Sequence, residues 1–141
     1  MTARAVYERA LSLINERDGK GEFHGDIKDF EKNAPEVINS LVTLLLPDES
    51  IILNKPIREL EGKIEKVTDL DSEIPLHISL LSGVMPYLLA STLISEEDSQ
   101  RADYFYSLYK NARVSVVKGY ATLNRSKIRD VYGGKVNGTD F

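Results

Sequence analysis

Residues 74–95 have the sequence IPLHISLLSGVMPYLLASTLIS and contain no Asp, Glu, Lys or Arg, although 28% of the chain is charged. Twenty-two such residues are enough either to cross a bilayer or to form the central helix of a soluble bundle. The choice between these two structures decides the class of the protein.

The flanks of this stretch argue against a membrane span. They are acidic on both sides, with Asp69, Asp71 and Glu73 before it and Glu96, Glu97 and Asp98 after it. A membrane span usually has Lys or Arg on one side and aromatic anchors at its ends, and this chain has no Trp. Residues 1–10 carry three charges and no apolar core, so a signal peptide is not expected. The sequence therefore predicts no membrane segment.

The length of 141 residues predicts one domain, and the absence of Cys fits a reducing compartment or indifference to redox state. Charge is unevenly distributed. Residues 1–109 hold 11 Lys and Arg against 20 Asp and Glu, whereas residues 110–141 hold 7 against 2. The basic end is either a solvated helix end that complements the helix dipole or a surface for an acidic partner.

Apolar residues spaced by three and four predict four helices. The first covers about residues 3–16, with Thr2 as its N-cap, and the second covers about residues 27–46, capped by Asp26. Pro35 is expected to kink the second helix or to divide it near Asn33, and Pro47 is expected to end it.

The third predicted helix, residues 76–94, should bend at Pro86, and the fourth, the longest, should start at Ser95 and end near Leu123. Between the second and third helices, Asn54-Lys55-Pro56 predicts a turn, and a short extended segment is expected near residues 57–68. The predicted fold is therefore all-α: a four-helix bundle-like domain over residues 1–123 and a flexible, basic C-terminal tail over residues 124–141.

The sequence contains no pattern typical of an active site. His24 and His77 have no second metal ligand at helical spacing, and the glycines at 19, 21 and 25 do not form a phosphate-binding loop. We therefore predict no enzyme activity, cofactor or metal. The fourth helix is rich in aromatic residues, which suits core packing better than stacking on nucleic acid because Phe105 and Tyr109 lie on its apolar face.

Five segments together resemble the head–tail connector (neck adaptor) proteins of tailed bacteriophages and prophages. They are ALSLINE at residues 10–16, APEVINSL at 34–41, IPL at 74–76 followed by VMPYLLAS at 84–91, the acidic start at Glu96 followed by ADYF at 102–105 and Tyr109, and IRDVYGG at 128–134. These segments cover most of the chain, and each is a packing or turn pattern. His77 departs from the resemblance, which leads us to expect an acidic residue capping the third helix there.

The resemblance implies a structural virion protein that forms a ring, of twelve copies, under the portal and extends the DNA channel toward the tail. The implied partners are the portal protein, downstream neck and tail proteins, other copies of the chain, and DNA that passes through without being read. The implied location is the virion neck, and the host cytoplasm during assembly. The tail is expected to dock on the portal or on a neighbouring subunit through Arg125, Lys127, Ile128, Arg129, Val131 and Tyr132.

A helical regulatory or nucleic-acid-binding module, with its basic arm on phosphate, is the alternative. The overall acidity of the chain, with a formal net charge of −4, disfavours a free DNA-binding protein.

Overall fold

The computed structural model describes residues 1–18 and 27–131, and side chains for residues 1–14 and 30–125. These residues form six α-helices and no named strand, which confirms the predicted all-α fold class. The helices are α1 (Ala3–Asp18), α2 (Ile27–Leu53), α3 (Ile57–Glu61), α4 (Ile78–Gly83), α5 (Met85–Ile94) and α6 (Ser99–Val131).

Helix α5 lies at the centre of the fold, packed against α1, α2, α4 and α6. Eight of its ten side chains are buried. Fully burying one large apolar side chain contributes roughly 1.5–3 kcal/mol before entropy is counted. The charge-free stretch of residues 74–95 is thus the centre of the hydrophobic core, as predicted.

The predicted third helix is two helices that meet at Val84. Val84 has φ −124° and ψ −52°, outside the helical range, and Pro86 stands in the first turn of α5. A proline ring at position 86 would clash with the carbonyl four residues earlier in a continuous helix, whereas it is tolerated in a first turn. The bend predicted at Pro86 is therefore a break two residues before it.

Helix α1 begins as predicted. The Thr2 hydroxyl accepts a hydrogen bond from the Ala5 N–H at 3.2 Å. The N–H groups of Ala3 and Arg4, which stand in the first turn and have no acceptor within the helix, donate to the carbonyls of Ser72 and Leu70, at 2.9 and 2.7 Å. The loop before α4 thus completes the cap of α1.

Helix α2 is longer than predicted, because it continues through both prolines to Leu53. The prediction that it ends at Pro47 is wrong, since the turn after Pro47 has its own core contact at Ile52, which is 6% exposed. Asn54, at φ 55°, ends the helix, and the N–H groups of Asn54 and Lys55 bond to the carbonyls of Ile51 and Ser50. The predicted turn is therefore confirmed, whereas the predicted cap, Asp26, lies outside the described residues.

The segment predicted to be extended begins instead with helix α3, and residues 62–68 are irregular. Pro56 occupies the N-cap of α3. Val67 is held by the Asn39 side chain, whose Oδ1 accepts from the Val67 N–H and whose Nδ2 donates to the Val67 carbonyl, both at 2.8 Å. The Asn39 side chain thus satisfies the backbone hydrogen bonds of Val67 that a neighbouring strand would satisfy in an extended segment.

Helix α6 differs from the prediction at both ends. Asp98, not Ser95, caps it, through a bond from the Arg101 N–H to Asp98 Oδ1 at 3.1 Å. The Ser95 hydroxyl bonds back to the Thr92 carbonyl in the turn after α5. At the other end α6 passes through the predicted boundary at 123/124 and continues to Val131, so residues 124–131 are helical. Residues 132–141 lie outside the described part of the chain.

Candidate interaction surfaces

Helix α6 becomes more exposed toward its C-terminal end, although Val116 and Tyr120 still pack against the core. The helix has 33 residues, which corresponds to about 50 Å at 1.5 Å per residue. Ala102, Phe105 and Tyr109 are buried, as predicted for its apolar face, but Leu123 on the same face is 48% exposed. Helix α6 therefore presents a surface that the rest of the described chain does not cover.

An ion pair whose carboxylate is buried fastens α6 to α2. Asp48 is 1% exposed, and its Oδ2 accepts from Arg113 Nε at 2.8 Å. This hydrogen bond is the main reason that the pKa of Arg113 is raised. Burial raises the pKa of the neighbouring Tyr109. Within the described residues Asp48 Oδ1 has no hydrogen-bond partner, so Arg113 carries most of the compensation for this buried charge.

A second contact fastens α2 to the start of α4. Glu49 Oε1 accepts from the His77 N–H at 2.8 Å, and His77 Nδ1 accepts from the Ser79 N–H at 3.1 Å. These two bonds cap the start of α4 much as a capping box does, except that the His77 ring accepts from the second helical residue and the acid comes from another helix. Glu49 of α2 therefore provides the acidic side chain that was expected at position 77. The His77 ring also packs edge-on against Tyr120 of α6, with 5.4 Å between centroids.

The residues predicted from the sequence do not include Asp48, Glu49 or Arg113. A signal was present: Leu45, Asp48, Glu49 and Ile52 are spaced by three, one and three, which places both acids on the apolar face of one helix. The expectation that Pro47 ends the helix hid this pattern.

The raised pKa of Glu49 leads to a pH-dependent prediction. Burial is the largest cause, and the bond from His77 lowers the pKa by less. Because the folded state binds the proton more tightly than the unfolded state, this group lowers stability progressively as pH rises from its ordinary value of 4.5 through its raised value. We expect Glu49→Gln, which keeps the oxygen acceptor, to raise the melting temperature at pH 7 and to have no effect near pH 3.

Thermal unfolding of both proteins by circular dichroism between pH 3 and pH 8 measures this difference. Glu36→Gln, an exposed site on the same helix, is the control and should give no pH-dependent difference. An equal melting temperature for Glu49→Gln and the parent at pH 7 would show that the carboxylate is hydrated.

A groove lies between the turn after α2 and the far part of α6. Its volume is about 600 Å³, and its lining consists of Ser50, Ile51, Asn54, Lys55, Pro56, Ala121, Asn124 and Arg125. The Asn124 side chain crosses it to donate to the Ile51 carbonyl at 2.7 Å. The charged side chains in this lining, Lys55 and Arg125, are both cations and both exposed.

The predicted docking residues separate into three groups. Arg125 is exposed on α6 and joins Lys55 in the groove, a neighbour that the sequence analysis did not single out. The backbones of Lys127, Ile128, Arg129 and Val131 continue α6, while their side chains lie beyond the part that the structure describes. Tyr132 lies outside the described residues altogether.

Comparisons with protein-family models, curated proteins and solved structures give no significant match to this chain. No helix in the described ranges combines the length and apolar character that a membrane crossing requires. The described side chains, those of residues 1–14 and 30–125, include no group of three His, Cys, Asp or Glu placed to hold a metal ion, and His24 lies outside these ranges.

Proposed function

We propose that this protein is a structural virion component: a head–tail connector that forms a ring of twelve copies under the portal and extends the DNA channel toward the tail. It works in the virion neck and assembles in the host cytoplasm. It has no enzymatic activity, and its partners are the portal protein, neck and tail proteins, and other copies of itself.

The observation that carries the proposal is the exposed surface near the C-terminal end of α6. A ring subunit needs a rigid body and a surface left open for a neighbour, and α6 supplies both. Phe105, Tyr109 and the Arg113–Asp48 pair fix α6 on the body, while Lys118, Leu123 and Arg125 farther along the helix are exposed. The five sequence segments quoted above give this surface its assignment to a connector.

We expect charge reversal at the end of α6 to abolish portal binding. The variant Arg125→Glu, Lys127→Glu, Arg129→Glu replaces three predicted docking cations by acids and so reverses the charge that the partner surface would have to complement. Pull-down with the portal protein encoded in the same genome measures binding. Deletion of residues 124–141 should give the same loss, but it also removes the Asn124–Ile51 bond.

A matched control reverses three exposed basic residues elsewhere, in Lys32→Glu, Arg58→Glu, Lys66→Glu. This control changes net charge equally and should bind the portal as the parent does. Normal portal binding and intact particles after deletion of residues 124–141 would overturn the docking role of this end of the chain.

A nucleic-acid-binding module is the second candidate, and the groove cations Lys55 and Arg125 are what favour it. Binding of this kind neutralises phosphates and falls steeply with salt. Titration of the purified protein with duplex DNA at several salt concentrations separates the two functions. A slope equivalent to several phosphate contacts favours the module, and negligible binding favours the connector.

A further inference from the structure

The turn between α5 and α6 carries a compact set of acids. Glu96 and Glu97 are exposed, and Asp98 is partly exposed while it caps α6. The backbone of the turn is fixed, because the N–H groups of Glu97 and Asp98 both donate to the Ile94 carbonyl, at 3.1 and 2.9 Å. We call Glu96, Glu97 and Asp98 the acidic turn. It presents carboxylates from a rigid position.

The groove at the other end of α6 has the opposite charge. Lys55 and Arg125 are its charged lining residues, and the lining includes no acid. Among the described side chains, those of residues 1–14 and 30–125, no carboxylate lies within salt-bridge distance of either cation. Ile51, Pro56 and Ala121 add apolar wall beside these cations. The groove is therefore suited to a short acidic protein segment.

A single molecule cannot join its own turn to its own groove. Asp98 and Arg125 are separated by twenty-seven residues of sequence that lie almost entirely in α6, a distance of about 40 Å at 1.5 Å per residue. The two surfaces are held apart by a continuous helix. They can meet only between different molecules.

We infer that the acidic turn of one copy docks into the groove of a second copy. The contact joins unlike surfaces, so each copy keeps a free turn at one end and a free groove at the other, and repetition gives a closed ring when the rotation closes. This inference rests on the proposed ring and names the residues that join its subunits. Screening by salt should weaken the contact.

Cysteine cross-linking tests the contact directly, because the chain contains no Cys of its own. The full-length double variant Lys55→Cys, Glu97→Cys should form a ladder of disulfide-linked multimers under mild oxidation. The control Lys55→Cys, Glu8→Cys places the second thiol at an exposed site on α1 and should give only the background of random collisions. The experiment is run on the protein alone and on the protein with the portal. A ladder no stronger than the control in both conditions would overturn the inference.

Charge exchange provides the second test. The turn variant Glu96→Lys, Glu97→Lys opposes basic turns to basic grooves, and the groove variant Lys55→Glu, Arg125→Glu opposes acidic turns to acidic grooves. Each alone should self-associate at least about tenfold more weakly than the parent. Mixed in equal amounts they should recover assembly, because every contact in an alternating ring then joins opposite charges.

The outcomes separate this inference from the connector function. The variants are first shown to be folded by circular dichroism. If the parent forms rings, and each variant also forms rings alone or the mixture fails to recover assembly, the docking contact is wrong and the connector function stands. If the parent forms no ring alone or with the portal, both are wrong. Loss of duplex DNA binding in the groove variant, with self-association unchanged, would assign the groove to DNA and overturn the inference.

Discussion

Replacing Arg113 with Ala should lower the free energy of unfolding by about 3 kcal/mol, because it leaves a carboxylate buried without its partner. Asp48 is 1% exposed, and its second oxygen has no partner within the described residues. We take the lower end of the range that is usual for removing one partner of a buried ion pair. The reason is that the Arg113 side chain is 43% exposed, which lets water reach this side of the pair.

The double variant Asp48→Ala, Arg113→Ala should be more stable than Arg113→Ala alone, since it removes the orphaned charge. Urea unfolding of the parent, both single variants and the double variant gives the complete cycle. Lys118→Ala, at an exposed site on α6, is the control and should stay within about 0.5 kcal/mol of the parent. A double variant less stable than Arg113→Ala would show that Asp48 stabilises the fold independently of Arg113.

Replacing Asn39 with Ala should lower the free energy of unfolding by about 2–3 kcal/mol, because it leaves two backbone groups of one residue unsatisfied. Asn39 bonds to both the N–H and the carbonyl of Val67, which is 2% exposed. No ladder of neighbouring strands is present in the described residues to replace these bonds.

Ser40→Ala is the matched control for Asn39→Ala. The Ser40 hydroxyl is exposed and bonds back to the Glu36 carbonyl of its own helix, so its loss should change stability by less than about 0.5 kcal/mol. Urea unfolding compares the two variants, and hydrogen exchange at Val67 reports the local effect. Equal stabilities for Asn39→Ala and Ser40→Ala would mean that water replaces the amide without loss.

Periodicity and capping rules predicted the parts of the fold that depend on local chemistry. The buried character of residues 74–95, the Thr2 cap and the turn at Asn54 all follow from residue types and spacing, and the structure confirms each of them. These features are set by neighbours in sequence, and so one sequence is sufficient to find them.

The errors arose where a distant partner overrides a local signal. Pro47 is a helix-ending residue by propensity, but Asp48 and Glu49 have partners on α6 and before α4, and Ile52 enters the core, so the helix continues. Likewise, a short extended segment is expected near residues 57–68, and the hydrogen-bond partner of Val67 within it is the Asn39 side chain, not a neighbouring strand. The groove joins Lys55 to Arg125, seventy residues later, and no local pattern links them.

The structure shows where the opposite charges found in the sequence are located. The acidic turn and the basic groove lie near opposite ends of α6. The Arg113–Asp48 pair and the packing of His77 on Tyr120 join that helix to the body between them. The residues of these contacts are thus distinct from Lys55 and Arg125, the groove cations that we propose to contact a second copy. Variants of the groove should therefore change assembly with little effect on folding.

Electron microscopy of the purified protein mixed with the portal protein from the same genome tests the connector function most directly. The proposed function predicts a ring with twelvefold symmetry stacked on the portal, and loss of this ring with the variant Arg125→Glu, Lys127→Glu, Arg129→Glu. Portal particles that carry no ring, beside a protein that stays monomeric, would contradict the proposed function. The control variant Lys32→Glu, Arg58→Glu, Lys66→Glu should behave identically to the parent under the same conditions.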